Sequence, residues 1–274
     1  MIKLFVCDID FTLLDAYSGG LPSRNIDAMI RLQASGVKVV LASGRVESGI
    51  LPIVKQLRMD EFGGYVASSN GTRIIETLRL TPLKENLIPV EDLLEMYHHA
   101  IKLGLHFSVE QGDTVYTNGF DDELAYDRDV VKLNFNVCDD LSEHLKQGAP
   151  KCAVTVDRGQ KREEIMAFCE TFKDRFEIVN SMGGFIDIMR KGSSKGHAIE
   201  FLCSHLHLSH DEVAAIGDST NDLEMLALAG IGACVANARE EVKAIAKHHV
   251  ASAQEGGVAE FIDIVLSLNK RTAM

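Results

Sequence analysis

Four short runs are apolar at nearly every position: "KLFVC" (3–7), "VKVVLAS" (37–43), "EVAAIGD" (212–218) and "IGACVA" (231–236). Side chains alternate faces along a strand, so a strand apolar throughout must be covered on both sides. Helical patterns separate these runs. After the first, Ile26, Met29 and Ile30 fall at i, i+3, i+4 in a helix expected over 24–34, with Ser23 as its cap and Gly36 as its end. Helices are also expected over about 195–206, 221–229 and 238–247. Strands alternating with helices predict a doubly wound parallel α/β sheet. Ligands of such sheets bind beyond the carboxyl ends of the strands. Asp8, Ser43 and Asp218 each stand at that end of an expected strand, so these distant residues can share one crevice.

The texture changes between 83 and 189. Helix-like "VEDLLEMYHHAIKLG" (90–104) precedes strand-like "LHFSVEQ" and "TVYTN". "CAVTVD" (152–157), helix-like "KREEIMAFCETFKD" (161–174), "FEIVNS" and "FIDIMR" come next. This reads as an α+β module inserted into the sheet domain, giving 1–82, an insert over 83–189, and 190–274. Pro82 and "KGSSKG" (191–196) are the expected crossing points. "YVASSNGTRII" (65–75) reads as a hairpin turning at Asn70-Gly71.

With 274 residues and 46% hydrophobic content the chain can bury a substantial core. The net charge of −12 argues against nucleic acid or an anionic membrane as partner, since both require a basic face. A small phosphorylated metabolite needs only a local cluster of cations and amides. The six cysteines are scattered without a CxxC pair, which favours a reducing cytoplasm over a disulfide framework or zinc site. The N-terminal apolar stretch is too short for a signal peptide, and no apolar run reaches about 18 residues. A cytoplasmic monomer or weak homodimer is expected.

An acidic cluster in a crevice is costly unless a divalent cation shares it. Magnesium suits oxygen ligands and keeps positions open for phosphate. "SGR" (43–45) offers a hydroxyl and amides near a helix start, a natural anion site. Lys195, after a Gly/Ser loop, offers a mobile point charge, and "GDSTND" (217–222) adds Asp218, Asn221 and Asp222. Together these are the parts that phosphoryl transfer uses.

"DIDFTLL", "LASGR", "SSNGTRII", "KGSSKGHAIEFL" and "GDSTNDLEML" occur in an order and spacing that resembles the haloacid dehalogenase superfamily. The chain is most similar to its Cof-type phosphatases, which carry a large α/β cap between the second and third motifs. "CVANAREEVKAIAKHHVASAQEGGVAEFI" (234–262) resembles the family's tail. Phe11 stands where the family's DxDGT has glycine, and Val235 where a methionine is common. The Phe11 ring either narrows the cleft or packs on the neighbouring flap.

The resemblance implies a Rossmann-like core and a magnesium-dependent phosphatase of small phosphomonoesters, sugar phosphates foremost. It implies Asp8 as nucleophile forming an aspartyl-phosphate, and Asp10 as acid and then base. Magnesium would be held by Asp8, the Asp10 carbonyl and Asp218. Ser43, the Gly44 amide, Lys195 and Asn221 would hold the phosphoryl oxygens. Thr12 would brace the Asp8 loop, and Asp222 would orient Lys195 or a metal-bound water. Arg45 is divided between touching substrate and steadying the loop. A sugar phosphomutase using the same intermediate is the alternative. A receiver-type phosphorylation switch fits poorly, because it is far shorter and is modified at an aspartate later in the chain.

Blander readings are expected elsewhere. His205, His207 and His210 lack a clean i, i+4 pair and read as exposed polar positions, as do His98-His99 and His248-His249. Cys7 reads as a small apolar residue under the sheet. The acidic run "FDDELAYDRD" (120–129) reads as a solvated loop, with polyol selection as the alternative.

Overall fold

The computed structural model describes residues 1–15, 20–112, 114–121, 124–125, 127–155, 162–182 and 185–272. They divide into two compact units, Met1–Lys84 with Ser194–Met274, and Glu85–Ser193.

The first unit is built on an eight-stranded sheet. Its strands are β1 (Leu4–Cys7), β2 (Lys38–Ala42), β3 (Tyr65–Ser68), β4 (Arg73–Glu76), β5 (Thr81–Glu85), β12 (Val213–Gly217), β13 (Ile231–Val235) and β14 (His248–Val250). The order is β14-β13-β12-β1-β2-β3-β4-β5. Strand β1 runs parallel to β2 on one side and to β12 on the other, with Cys7 level with Leu41 and Ile216. Of the four apolar runs, β1 and β12 are buried along their whole length, and β2 and β13 are buried beyond their first residues, Lys38 and Ile231. The chain leaves β1 towards one side of the sheet and returns through β12 on the other. The crevice at the ends of these strands is therefore the place for a ligand.

Helix α1 (Ser23–Ala34) packs on this sheet beside the C-terminal helix Gly257–Thr272. Asn25 fixes its start, donating to Leu13 O at 2.8 Å and accepting from Ala259 N at 3.1 Å. Ser23 is not the cap expected of it. Pro22 takes that position, and no side chain caps the helix, so Ser23 lies inside the first turn. The helix ends as expected, with Gly36 at φ 92°. The hairpin also forms, β3 pairing antiparallel with β4. Ser69 (φ 47°) and Asn70 (φ 55°) are both left-handed, and Gly71 after them has φ 83°.

The second unit carries a six-stranded sheet with the order β10-β11-β9-β6-β7-β8. These strands are β6 (His106–Gln111), β7 (Thr114–Thr117), β8 (Asn134–Val137), β9 (Cys152–Thr155), β10 (Phe176–Met182) and β11 (Phe185–Arg190). Most neighbours are antiparallel, and β7–β8 is parallel. Helices Val90–Lys102 and Arg162–Phe172 supply Met96, Tyr97, Phe168 and Phe172 to a core shared with Phe107 and Val154.

The acidic run is exposed at Arg128 and Asp129, as a solvated loop requires, but not at its start. Asp121 is 6% exposed. It accepts from Leu124 N at 3.1 Å and from Thr155 Oγ1, and it meets His106 Nδ1 at 3.0 Å. His106 and Thr155 are register partners on β6 and β9, so the sheet itself presents two polar partners to this carboxylate. Asp122, Glu123 and Tyr126 of the run lie outside the described residues. His98, His205, His207, His210 and His249 are exposed as expected, whereas His99 is half-buried against Phe168 and Phe172 and His248 half-buried beside Phe261. Among the described residues no helix is long and apolar enough to cross a membrane.

Candidate active site

The ends of β1, β2 and β12 deliver Asp8, Ser43 and Asp218. Asp8 is 5% exposed, and its backbone N–H donates to Ile216 O at 3.0 Å, tying the residue to β12. Lys195 begins helix Lys195–Leu206, whose cap Ser194 accepts from His197 N at 3.0 Å. The lysine is 1% exposed and thus not the mobile charge its Gly/Ser loop suggests. Its Nζ lies 2.6 Å from Asp8 Oδ1 and 2.6 Å from Asp222 Oδ1. Burying an ammonium is tolerable because two carboxylates meet it.

Two glycines make this arrangement possible. A Cβ on Gly71 would sit 2.4 Å from Ser194 O, so the hairpin can press against the start of the lysine's helix only without a side chain. A Cβ on Gly217 would lie 2.5 Å from the Asp222 carboxylate. Asp222 needs that room, because its Oδ2 accepts from Asp218 N at 2.9 Å and Ser219 N at 3.0 Å.

Thr12 Oγ1 donates to Asp218 Oδ1 at 3.0 Å. Arg45 grips Asp10 with two hydrogen bonds, Nε to Oδ2 at 2.8 Å and Nη2 to Oδ1 at 2.5 Å. Of the two readings open for Arg45, the loop-steadying ion pair is the one formed here. Ser43 is 1% exposed and its Oγ accepts from Arg45 N at 3.1 Å. Gly44 lies against the Asn70 side chain, where a Cβ would come within 3.5 Å of it. Asn221 Nδ2 donates to Asn70 Oδ1 at 3.0 Å. Cys7 is fully buried beneath the sheet.

Asn70 is the member of this constellation that sequence reasoning missed. Its Asn-Gly pairing has the ordinary signature of a hairpin turn. Its burial at 2% exposure, its N–H donated to Ser43 O at 2.9 Å, and its hold on Asn221 give it a second task.

The electrostatics are those of a crowded acid cluster. Burial pushes the Asp8 carboxyl well up; Lys195 opposes this, while Asp222 and Asp218 add to it. Asp218 is pushed up to about 7, by burial first and the Asp222 carboxylate second. Burial works against the charge on Lys195, but Asp222 and Asp8 outweigh it and hold the ammonium above its ordinary range. Carboxylate oxygens of Asp8, Asp218 and Asp222 lie within 4.8 Å of one another. At that separation like-charged carboxylates repel unless a proton or a cation is shared among them. Four carboxylates (Asp8, Asp10, Asp218, Asp222) face two cations (Lys195, Arg45), leaving two negative charges. An all-oxygen set with that residual charge fits a divalent cation. Asp222 has both oxygens engaged by Lys195 and backbone amides, so Asp8 and Asp218 are the better placed side-chain ligands.

The family model of haloacid dehalogenase-like hydrolases matches residues 5–262. A solved haloacid dehalogenase-like hydrolase from Bacteroides thetaiotaomicron superimposes with a TM-score of 0.89 at 31% identity, over 97% of this chain and 100% of its own. The Bacillus subtilis protein YxeH is 29% identical over 273 residues, 97% of this chain and 100% of its own. A second B. subtilis relative, 5-amino-6-(5-phospho-D-ribitylamino)uracil phosphatase YcsE, is 25% identical over 261 residues, 95% of this chain and 94% of its own. With strand ends, acid cluster and family match coinciding over nearly the whole sequence, the chain belongs to the haloacid dehalogenase-like hydrolase family.

Proposed function

We propose that this hydrolase is a magnesium-dependent phosphatase of small phosphomonoesters, most of all sugar phosphates, acting through an aspartyl-phosphate on Asp8. The carrying observation is the buried Asp8 carboxylate, held on one oxygen by Lys195 at 2.6 Å and facing Asp218. A buried carboxylate with a fixed orientation is pre-aimed for in-line attack, and its Lys195 partner offsets repulsion from an incoming phosphate. Magnesium, held by Asp8, Asp218 and the Asp10 carbonyl, would supply charge neutralisation of the phosphoryl group. Ser43 and the Gly44 amide, at the end of β2, hold two phosphoryl oxygens together with Lys195 and Asn221. Asn70 keeps the Asn221 amide turned to that task. Asp222 fixes Lys195, and Thr12 fixes Asp218. Asp10 protonates the leaving oxygen and then takes a proton from the attacking water. For that it must slip from the bidentate grip of Arg45, so the pair is the resting arrangement.

The relative named as a ribityl phosphate phosphatase supports a phosphorylated polyol or sugar as substrate class. Six free cysteines support a reducing cytoplasm as the place of action. The test is phosphate release from p-nitrophenyl phosphate and a panel of sugar phosphates, with and without magnesium. Magnesium-dependent release, abolished in Asp8→Asn, is expected, along with an acid-stable phosphoenzyme at Asp8. Transfer of phosphate within a sugar, without release, would make the chain a mutase. Full activity after exhaustive chelation would remove the metal from the scheme.

A further inference from the structure

We infer that Glu224 is a positioning residue for the proposed reaction: through the Ser194 hydroxyl it fixes the start of the helix that carries Lys195, and with it the place of the Lys195 ammonium. The inference rests on the phosphatase reading above. Helix Leu223–Leu228 follows directly on the turn Thr220–Asp222. Two carboxylates of this stretch, two residues apart, bracket Lys195. Asp222 Oδ1 accepts from Lys195 Nζ at 2.6 Å. Glu224 Oε2 accepts from the hydroxyl of Ser194, the residue before the lysine. One contact holds the tip of the side chain, and the other holds the backbone from which it springs.

The helix start is shaped to receive Glu224. A Cβ on Gly196 would come within 2.7 Å of the Glu224 Cγ and Oε2, so only a glycine after Lys195 lets the carboxylate reach Ser194. Ser194 Oγ accepts from His197 N at 3.0 Å and lies 2.8 Å from His197 Nδ1. The hydroxyl has one proton, and Glu224 takes it, so Nδ1 is the donor in the histidine contact. A nucleophilic serine needs the histidine between itself and the acid. Here the serine is the middle member, which makes the trio a brace and not a second hydrolytic centre.

Position at this point matters because Lys195 serves two partners at once, Asp8 at the end of β1 and Asp222 in the 217–222 loop, each at 2.6 Å. A lysine stem is flexible, and its ammonium meets both carboxylates only from a backbone held at the right distance. Asp222 alone cannot set that distance, since it grips the far end of the stem. Glu224 sets it from the same segment. Glu224 is itself exposed, so its bond adds little to the stability of the fold, and its value lies in where it puts the lysine.

The experiment compares Glu224→Leu, Glu224→Gln, Ser194→Ala and the double variant Glu224→Leu with Ser194→Ala, each checked for folding by circular dichroism. Two readouts are taken: kcat/KM for p-nitrophenyl phosphate in magnesium, and reductive methylation of Lys195 followed by peptide mass spectrometry. Lys195 is 1% exposed, so the parent should resist methylation there. Glu224→Leu is expected to lower kcat/KM about tenfold, short of the 10²-fold of a full ångström of displacement because Asp8 and Asp222 still attract the ammonium, and to lose that protection. Glu224→Gln, whose amide oxygen still accepts from Ser194, should keep most of both. The double variant should lose no more than Ser194→Ala alone, as two residues acting through one bond must. Unchanged kcat/KM or unchanged protection in Glu224→Leu overturns the inference, as do equal losses in Glu224→Gln or additive losses in the double variant. If the parent releases no phosphate, the phosphatase reading falls, and the methylation pattern alone decides whether Glu224 places Lys195.

Discussion

Asp10 and Asp218 are both carboxylates of one crevice, yet their surroundings set them different tasks. Asp10 is clasped by Arg45 at the edge, and Asp218 is pressed among like charges. Leaving-group choice separates the two halves of the role given to Asp10. Nitrophenolate departs without help from an acid, whereas a sugar alkoxide does not. Hydrolysis of the phosphoenzyme needs a base whatever departed. Asp10→Asn is therefore expected to give a stoichiometric burst of nitrophenol and then stall, with steady turnover down by about 10²–10⁴. Rapid-quench kinetics read both phases; equal slowing of aryl and sugar phosphates without a burst would remove Asp10 from acid–base chemistry. For Asp218 the prediction concerns stability. Its carboxyl stands at about 7 in the fold, against roughly 3.9 in an unfolded chain. The folded state thus binds the extra proton more tightly. Its contribution is complete at low pH and is lost as pH rises through about 7. In chelator the protein should melt at a lower temperature at pH 8 than at pH 6, and magnesium should flatten that difference. Scanning calorimetry across this range decides it, and a melting temperature in chelator that is constant or rises with pH is the contrary result.

Elements translate these demands into backbone. The end of β12 reaches Asp218 through Gly217, and only a hydrogen at that position lets the Asp222 carboxylate close on the Asp218 and Ser219 amides. Gly217→Ala should leave the parallel sheet intact while pushing Asp222, and Lys195 with it, out of place. A displacement of this kind costs about 10²-fold in kcat. The check is kcat beside a circular dichroism spectrum, and normal turnover in a well-folded variant would show that Asp222 does not position Lys195. Strand ends are the part of this geometry most legible in the sequence. Continuous apolar runs such as "KLFVC" and "EVAAIGD" can only be covered strands, and the residues just after them must lie at the sheet edge. Burial of side chains outside those runs is not legible. Lys195 looks mobile because a Gly/Ser loop precedes it, yet two carboxylates, one after β1 and one from the 217–222 loop, immobilise it. Asn70 reads as a turn, Ser23 as a cap and the 120–129 run as solvated. Remote partners decide otherwise for Asn70, through Ser43 and Asn221, and for Asp121 at the start of the acidic run, through Thr155 and His106. For Ser23 the reason is local, since Pro22 already holds the cap position.

At the scale of the whole molecule, the alternation of strand and helix at both ends of the chain marks one sheet, and the change of texture between them marks an insert. The strands of the eight-stranded sheet come from Leu4–Glu85 and Val213–Val250, and the insert has a separate core around Tyr97, Phe107 and Phe168. The two connections run side by side: Asn86 Nδ2 donates to Lys191 O at 2.9 Å and to Ser193 Oγ at 3.0 Å. A short Gly-Ser linker can therefore replace residues 86–193 without stretching either neighbour. Asp8, Asp10, Ser43, Lys195, Asn221 and Asp222 all remain in the retained part. The excised chain is expected to unfold cooperatively and to keep magnesium-dependent hydrolysis of p-nitrophenyl phosphate. Its kcat/KM values across a sugar phosphate panel should converge, which is the outcome expected of an insert that selects among substrates. An excised chain that folds and still ranks the sugar phosphates as the parent does would place selectivity in the sheet unit.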